Sequence, residues 1–433
     1  MILETGGNGS WSVVRGLLDD IQIPRMVKVR QIFVHPAPVN VVEQIRCQLA
    51  SHPCWSRLRK GDTVAITVGS RGICNMVQAV RTAGELIKEH GGVPFMVPAM
   101  GSHAGAEAES QKNMLLGLGF TYENTGLEIH SSMDTVEVSR TPEEDLPVFI
   151  DANAMRADHI VVMNRVKPHV CFRGDYESGL MKMITIGLGK QKGAETAHNL
   201  GFGHMPSHIK QIATEALKHM DVLFAAGLVE NAYHETAIVK VMEGSEIPVL
   251  EKNLLLKAKS YAACLHFDVL DSLVIDEIGK NISGSGFDTN VVGRYHSEWA
   301  SGGPKIHRVL ILDISKQSNG NGNGLGMADF TTLRAARKFD FEQTYPNTLT
   351  ALLTGGVKIP MVLPSDKLGF QACMKTSNKA NWLDTDFARI HNTLCLDEIE
   401  VSEKLAERIR NDQRFEIIGS PYELEFDSNG NLF

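Results

Sequence analysis

The stretch from Asp62 to Gly105 constrains the fold more than any other part of the chain. It reads DTVAITVGSRG, then CNMVQAVRTAGELIKEHGG after Ile73, then VPFMVPAMGSHAG. The first run is β-rich and ends in Gly-Ser-Arg-Gly. The second sets Met76, Val77, Val80, Ala83, Leu86 and Ile87 at helical spacing, and the third is an apolar run ending in Gly-Ser-His-Ala-Gly. This is a βαβ unit. Parallel strands joined by a helix bring both glycine turns, Gly69 to Gly72 and Gly101 to Gly105, to one carboxyl edge of a sheet, where open α/β folds bind ligands. Arg71 and His103 are therefore expected to face one crevice.

Further strands are expected at HIVVMNRV (159–166) and VLFAAGLVE (222–230), with a helix around Pro206 to Met220 between them. IPVLEKNLLLKAKSYAACL reads as a helical connection out of this first domain. A second apolar series, LDSLVIDEIG, RVLILDIS and KIPMVLP, alternates with the helical patterns ADFTTLRAARKF and NTLTALLTGG. The expected architecture is α/β in two domains. Residues 1–262 form a parallel or mixed sheet with flanking helices, and 263–433 form a smaller C-terminal α/β domain whose last helix is allowed to pack back on the first. The active site is expected in the cleft between them.

Composition narrows the function. Lysine and arginine total 43 against 51 aspartates and glutamates, a net charge of −8 without a basic block, which argues against nucleic acid as a partner. The seven cysteines are scattered without a C-x-x-C pair, as expected for reduced thiols. MILETGGNGSWSVVRGLLDD lacks a basic start followed by a long apolar run, and no apolar stretch approaches the ~20 residues of a membrane span. Cytoplasm is the expected compartment and no membrane partner is expected.

Within ESGLMKMITIGLGKQKGAETAH (177–198), one lysine, Lys182, interrupts an apolar run that closes on His198. A desolvated ammonium needs a charged partner or loses its proton, so a lysine in this setting is a candidate nucleophile or anion clamp. Arg71, His103 and Lys167-Pro168-His169 also fall at strand ends or glycine turns. Histidine transfers protons both ways near neutrality and ligates nickel or zinc through a free ring nitrogen.

These motifs, in their order VGSRG, MGSHAG and NRVKPHVCFRGDYESGLMKMITIGLGKQKGAETAH, resemble the nickel-pincer nucleotide-dependent lactate racemase family, which includes racemases and epimerases of other 2-hydroxy acids. The resemblance covers about half the chain. It implies a pyridinium-3-thioamide-5-thiocarboxylic acid mononucleotide carrying nickel, bonded covalently to Lys182, with His198 as a nickel ligand. It further implies His103 and His169 as the acid/base pair, Arg71 holding an anionic group, and Ser70 beside it among the cofactor contacts. The implied reaction removes and returns the C2 hydride of a 2-hydroxy acid, possible sugar acids included, and cofactor biosynthesis enzymes are implied as partners. Thr67-Val68-Gly69-Ser70 lacks the acidic residue that precedes the arginine in the family, so ribose contacts must differ here.

Two other readings stay open: a zinc-dependent hydrolase using His198, His204 and His208, and a nucleotide- or anion-binding module without turnover. His204 and His208 stand four apart, with Pro206 favouring a helix start between them. In the second domain, DEIGKNISGSGFDTNVVGR gathers polar groups around glycines after a strand, making Lys280 and Arg294 candidate substrate anchors. SNGNGNGLG (318–326) is a low-complexity loop without a dinucleotide fingerprint.

Overall fold

The computed structural model describes residues 11–433, apart from the side chain at 347; the first ten residues of the N-terminal stretch considered above lie outside it. The chain is mixed α/β and packs as two compact units, His35–Ala262 and Met1–Val34 with Ala263–Phe433.

In the unit His35–Ala262, the βαβ unit forms β1 (Thr63–Val68), α1 (Met76–Glu89) and β2 (Val93–Pro98). Strand β1 is buried along nearly its whole length, as a strand with both faces covered must be, and its β-branched side chains suit that pleat. Helix α1 buries Met76, Ala79, Val80, Ala83, Leu86 and Ile87 as one stripe. That stripe joins Val64, Ile66, Val68, Val161 and Met163 in one core, where each buried aliphatic side chain contributes about 1.5–3 kcal/mol.

The chain then makes a hairpin, β3 (Thr135–Arg140) and β4 (Pro147–Asp151), before β5 (His159–Arg165). After β5 come a helical turn Leu180–Lys182, a π-helical segment Met183–Leu188, α2 (Lys190–His198), α3 (Met205–Ala216), β6 (Val222–Glu230), β7 (Thr236–Met242) and α4 (Ile247–Tyr261). The sheet order is β2-β1-β5-β6-β7, parallel except for β7. The chain passes from β1 to β2 on one side and then returns past β1 to β5 on the other, so the order reverses there. Ligand crevices of open α/β sheets form at such a point, outside the carboxyl ends of the strands. Arg71, His103 and Lys167 follow the carboxyl ends of β1, β2 and β5.

The other unit holds an eight-stranded sheet. Strands 361–363, 330–332, 305–314, 269–278 and 387–390 run parallel in that order, and 398–402, 26–31 and 415–417 extend it antiparallel. The expected first domain included the segment before His35. Its strand Met26–Gln31 instead pairs Met26 to Ser402 and Val29 to Ile417, which draws the segment into this sheet. The final helix, Glu403–Ile409, packs on strands 26–31 and 398–402 of the same unit. The pattern ADFTTLRAARKF, expected as one helix, splits into strand Phe330–Thr332 and helix Leu333–Lys338, with Thr332 capping the helix through Ala335 N–H.

Candidate functional site

The lysine comes first. Glu251 of α4, itself buried, accepts the Met181 N–H at 2.7 Å and so fixes the start of the turn that carries Lys182. Burial pushes the Glu251 carboxyl up to about 7, against the opposing pull of the Met181 and Leu180 amides. After Lys182 the backbone widens into the π-helical segment, a distortion found often at functional sites. Glycine allows the β2 turn to approach it. A Cβ on Gly101 (φ 62°) would meet Ile186 Cγ2 at 2.9 Å, and one on Gly187 would meet the Ala99 carbonyl oxygen at 2.8 Å.

The half-buried Lys182 Nζ lies 2.8 Å from His169 Nε2. The loop bearing His169 is closed by paired Lys167 and Ser178 backbones and held from inside by buried Glu177, which accepts the His169 N–H at 2.7 Å and the Lys259 ammonium at 2.6 Å. His169 Nδ1 accepts the Cys171 N–H at 3.1 Å, so the neutral ring carries its proton on Nε2, facing Lys182. A hydrogen bond between the two then requires the lysine as free amine. Its pKa agrees: desolvation first, then the nearby Arg71 and Lys167 cations, lower it to about 8, against a raising effect from Cys171. His169 is held well below its ordinary value by burial and by Lys182, Lys167, His198 and Arg173. Phe172 lies tilted against His169 with ring centroids 4.3 Å apart, and Phe202 lies 6.1 Å from His169 and 5.4 Å from His198, forming an apolar wall.

His198 ends α2. Its Nδ1–H donates to the Ala194 carbonyl at 2.6 Å, which leaves Nε2 with its lone pair, and burial followed by the influence of Lys182 keeps the ring neutral. That is the state a metal-ligating imidazole requires.

Arg71 reaches solvent, while the surrounding protein and Arg165 push its guanidinium below its ordinary value; it stays charged at any working pH. Ser70 Oγ and His103 Nδ1 share a hydrogen bond of 2.5 Å. Buried Gln111 pins that second turn, donating to the carbonyls of Gly101 at 3.0 Å and His103 at 3.1 Å. Ser70, Arg71, His103, His169, Lys182 and His198 thus all belong to one unit. Lys167, marked in the sequence beside His169, belongs to the same unit, as do Glu177, Glu251, Phe172 and Phe202, which residue type alone does not mark. Of the two buried carboxylates, Glu251 left a trace in the sequence as an acid directly after the apolar run IPVL, whereas Glu177 stands in the polar run RGDYES and left none.

Lys280 and Arg294 belong to the other unit. Arg294 donates to the carbonyls of Ile306, His307 and Met327 and pairs with Asp329 at 2.8 Å, a bracing role for the loop after strand 269–278. Lys280 Nζ donates to Gly284 O at 2.7 Å, and Asn323 donates to the same carbonyl at 3.1 Å, tying the two glycine loops together. The grouping expected for zinc changes as well. Among the described residues the set with metal-ligand spacing is Glu144, His204 and His208, without His198.

No family model matches this chain, and no curated protein does. Solved structures that resemble it include the lactate racemase apoprotein from Thermoanaerobacterium thermosaccharolyticum, with TM-score 0.48 and 12% identity over 85% of this chain and 94% of that one. A structural-genomics protein from Thermotoga maritima matches with TM-score 0.46 and 15% identity over 65% of this chain and 72% of that one. At that distance neither likeness bears on chemistry, which rests on the side chains themselves. No helix among the described residues is long and apolar enough to cross a membrane.

Proposed function

We propose that this protein is a racemase or epimerase of a 2-hydroxy acid, working with a nickel-pincer nucleotide attached at Lys182. One arrangement carries the reading: an amine 2.8 Å from a neutral imidazole and, among the described residues, bonded to no carboxylate, with a second neutral imidazole and cations near it and its pKa lowered to about 8. The residues fit such a group. Lys182 has the free-amine character covalent attachment needs, His198 Nε2 suits a borderline-soft metal, and Arg71 and Lys167 supply positive charge for an anion. When bound, the nucleotide supplies a hydride acceptor and a metal centre.

The chain's own residues do the rest. Arg71 and Lys167 hold the substrate carboxylate through charge-assisted hydrogen bonds. Of His103 and His169, the one that enters neutral would take the hydroxyl proton and the one that enters protonated would supply a proton to the same oxygen, so that the pair ends with its protonation states exchanged. Phe172 lies against His169, and Phe202 lies beside His169 and His198, which limits water around those two rings. Cofactor biosynthesis enzymes in the producing host are required as partners.

The test is intact-mass measurement of protein from a host that makes the nucleotide, followed by peptide mapping. The reading expects an adduct on the peptide containing Lys182 that is absent from Lys182→Ala. A fully active enzyme without any adduct ends it.

A further inference from the structure

A second cluster lies outside the machinery just described. Glu144 stands in the turn between β3 and β4, His204 caps the start of α3, and His208 is one turn further along that helix. One ligand atom from each lies within 4.8 Å of the other two. His208 is fully buried, and its Nδ1–H donates to the Ala197 carbonyl at 3.0 Å. Its Nε2 therefore points at Glu144 Oε2, 3.3 Å away. A carboxylate oxygen offers only lone pairs, so this contact requires a positive charge between the two atoms: a second ring proton or a cation.

The surroundings favour a cation. The backbone carbonyl that fixes the His208 tautomer is the outer support that metal-bound histidines use. Gln211 orients Glu144 from the other side, donating to Oε1 at 2.5 Å and to Ser207 Oγ at 2.9 Å. Its own Oε1 is buried beside the cluster with no hydrogen-bond partner, an acceptor left for a metal-bound water. Zinc bonds of about 2.0–2.1 Å put tetrahedral ligand atoms about 3.3 Å apart, the separation already present between Glu144 and His208. His204 is exposed and its ring centroid is 5.6 Å from that of His208, so a side-chain rotation closes the third bond.

The geometry points to a divalent transition-metal site of the zinc class at Glu144, His204 and His208, with one position left for water. Such an ion ties the β3–β4 turn to the start of α3. It thereby holds the 199–204 connection, whose Phe202 walls His169 and His198. The site stands independently of any nucleotide at Lys182.

Cobalt(II) titration of the full chain at pH 7.5, followed by visible absorption, tests it. The expected result is one equivalent bound with the intense bands of four- or five-coordinate cobalt, displaced by zinc. His204→Ala, an exposed change that leaves the fold intact by circular dichroism, weakens binding at least tenfold, as does Glu144→Gln, while His198→Ala leaves the bands unchanged. Absence of bands at millimolar cobalt, their survival in both site variants, or their loss in His198→Ala overturns the proposal. Because the readout needs neither nucleotide nor turnover, failure of the racemase reading leaves it standing.

Discussion

Lys182 and Lys190 leave the same glycine-studded segment and meet opposite surroundings. Lys190 is wholly buried, pairs with Asp151 at 2.9 Å and donates to the Pro98 carbonyl. The other oxygen of Asp151 caps the helix after β4 through the N–H groups of Asn153 and Ala154. Desolvation lowers the Lys190 pKa, and Asp151 partly restores it. Lys182 is less enclosed, yet its partner is a neutral imidazole and its charged neighbours are Arg71 and Lys167. An ammonium given a carboxylate becomes a strut; one given only an imidazole and like charges becomes a reactive amine. Burial alone does not separate the two.

The sharpest way to break this contrast is to remove each amine. Lys182→Ala should lose racemisation below detection in a competent host while its melting temperature stays near that of the parent; turnover without Lys182 would dissolve the distinction. Lys190→Ala should instead cost about 3–5 kcal/mol in denaturant unfolding, since Asp151 is left buried and unpaired. Lys190→Met together with Asp151→Asn should recover much of that loss.

Glu251, which orients the Lys182 turn, allows a third comparison. Its folded pKa of about 7 lies above the unfolded value near 4.5, so the folded state binds the extra proton. Stability is then fully present below pH 4.5 and declines as pH rises through 7, by an amount on the order of 3 kcal/mol. Glu251→Gln should abolish that slope, and an unchanged pH profile of unfolding would contradict the assignment.

Smaller effects refine the picture. Labelling of unmodified protein by a neutral amine reagent should rise about tenfold per pH unit below pH 8 at Lys182 and level off above it, as the free-amine fraction saturates. Lys190 should stay unlabelled until the protein unfolds. Phe202→Leu should move the Lys182 midpoint upward by less than about one unit, as water reaches the amine and restores part of its hydration.

Legibility followed contact range. Strands β1, β2, β5 and β6 stand out because strands covered on both faces read as continuous apolar runs, and α1 shows its stripe at the expected spacing. The hairpin β3–β4 does not stand out in the sequence because β3 is exposed or half-exposed throughout and is interrupted by a bulge between Glu137 and Ser139, which leaves only the short β4 with buried positions. Placement of Met26–Gln31 was missed because its partners, 398–402 and 415–417, lie at the far end of the chain. Within the site, Arg71, His103, His169, Lys182 and His198 could be listed from residue type and glycine context. Their supports could not, since Glu251 meets the Met181 amide and Phe202 meets His169 only after folding.

By itself the sequence determined the alternation of strands and helices, the two glycine turns at one sheet edge, and which side chains could carry charge or protons there. Those are local properties, written in spacing and residue type. Tertiary structure alone decided that Lys182 faces an imidazole while Lys190 faces a carboxylate, and that His204 and His208 join Glu144 rather than His198. The state of an ionisable group depends on what surrounds it within a few ångströms, and in this chain those surroundings come from residues distant in sequence.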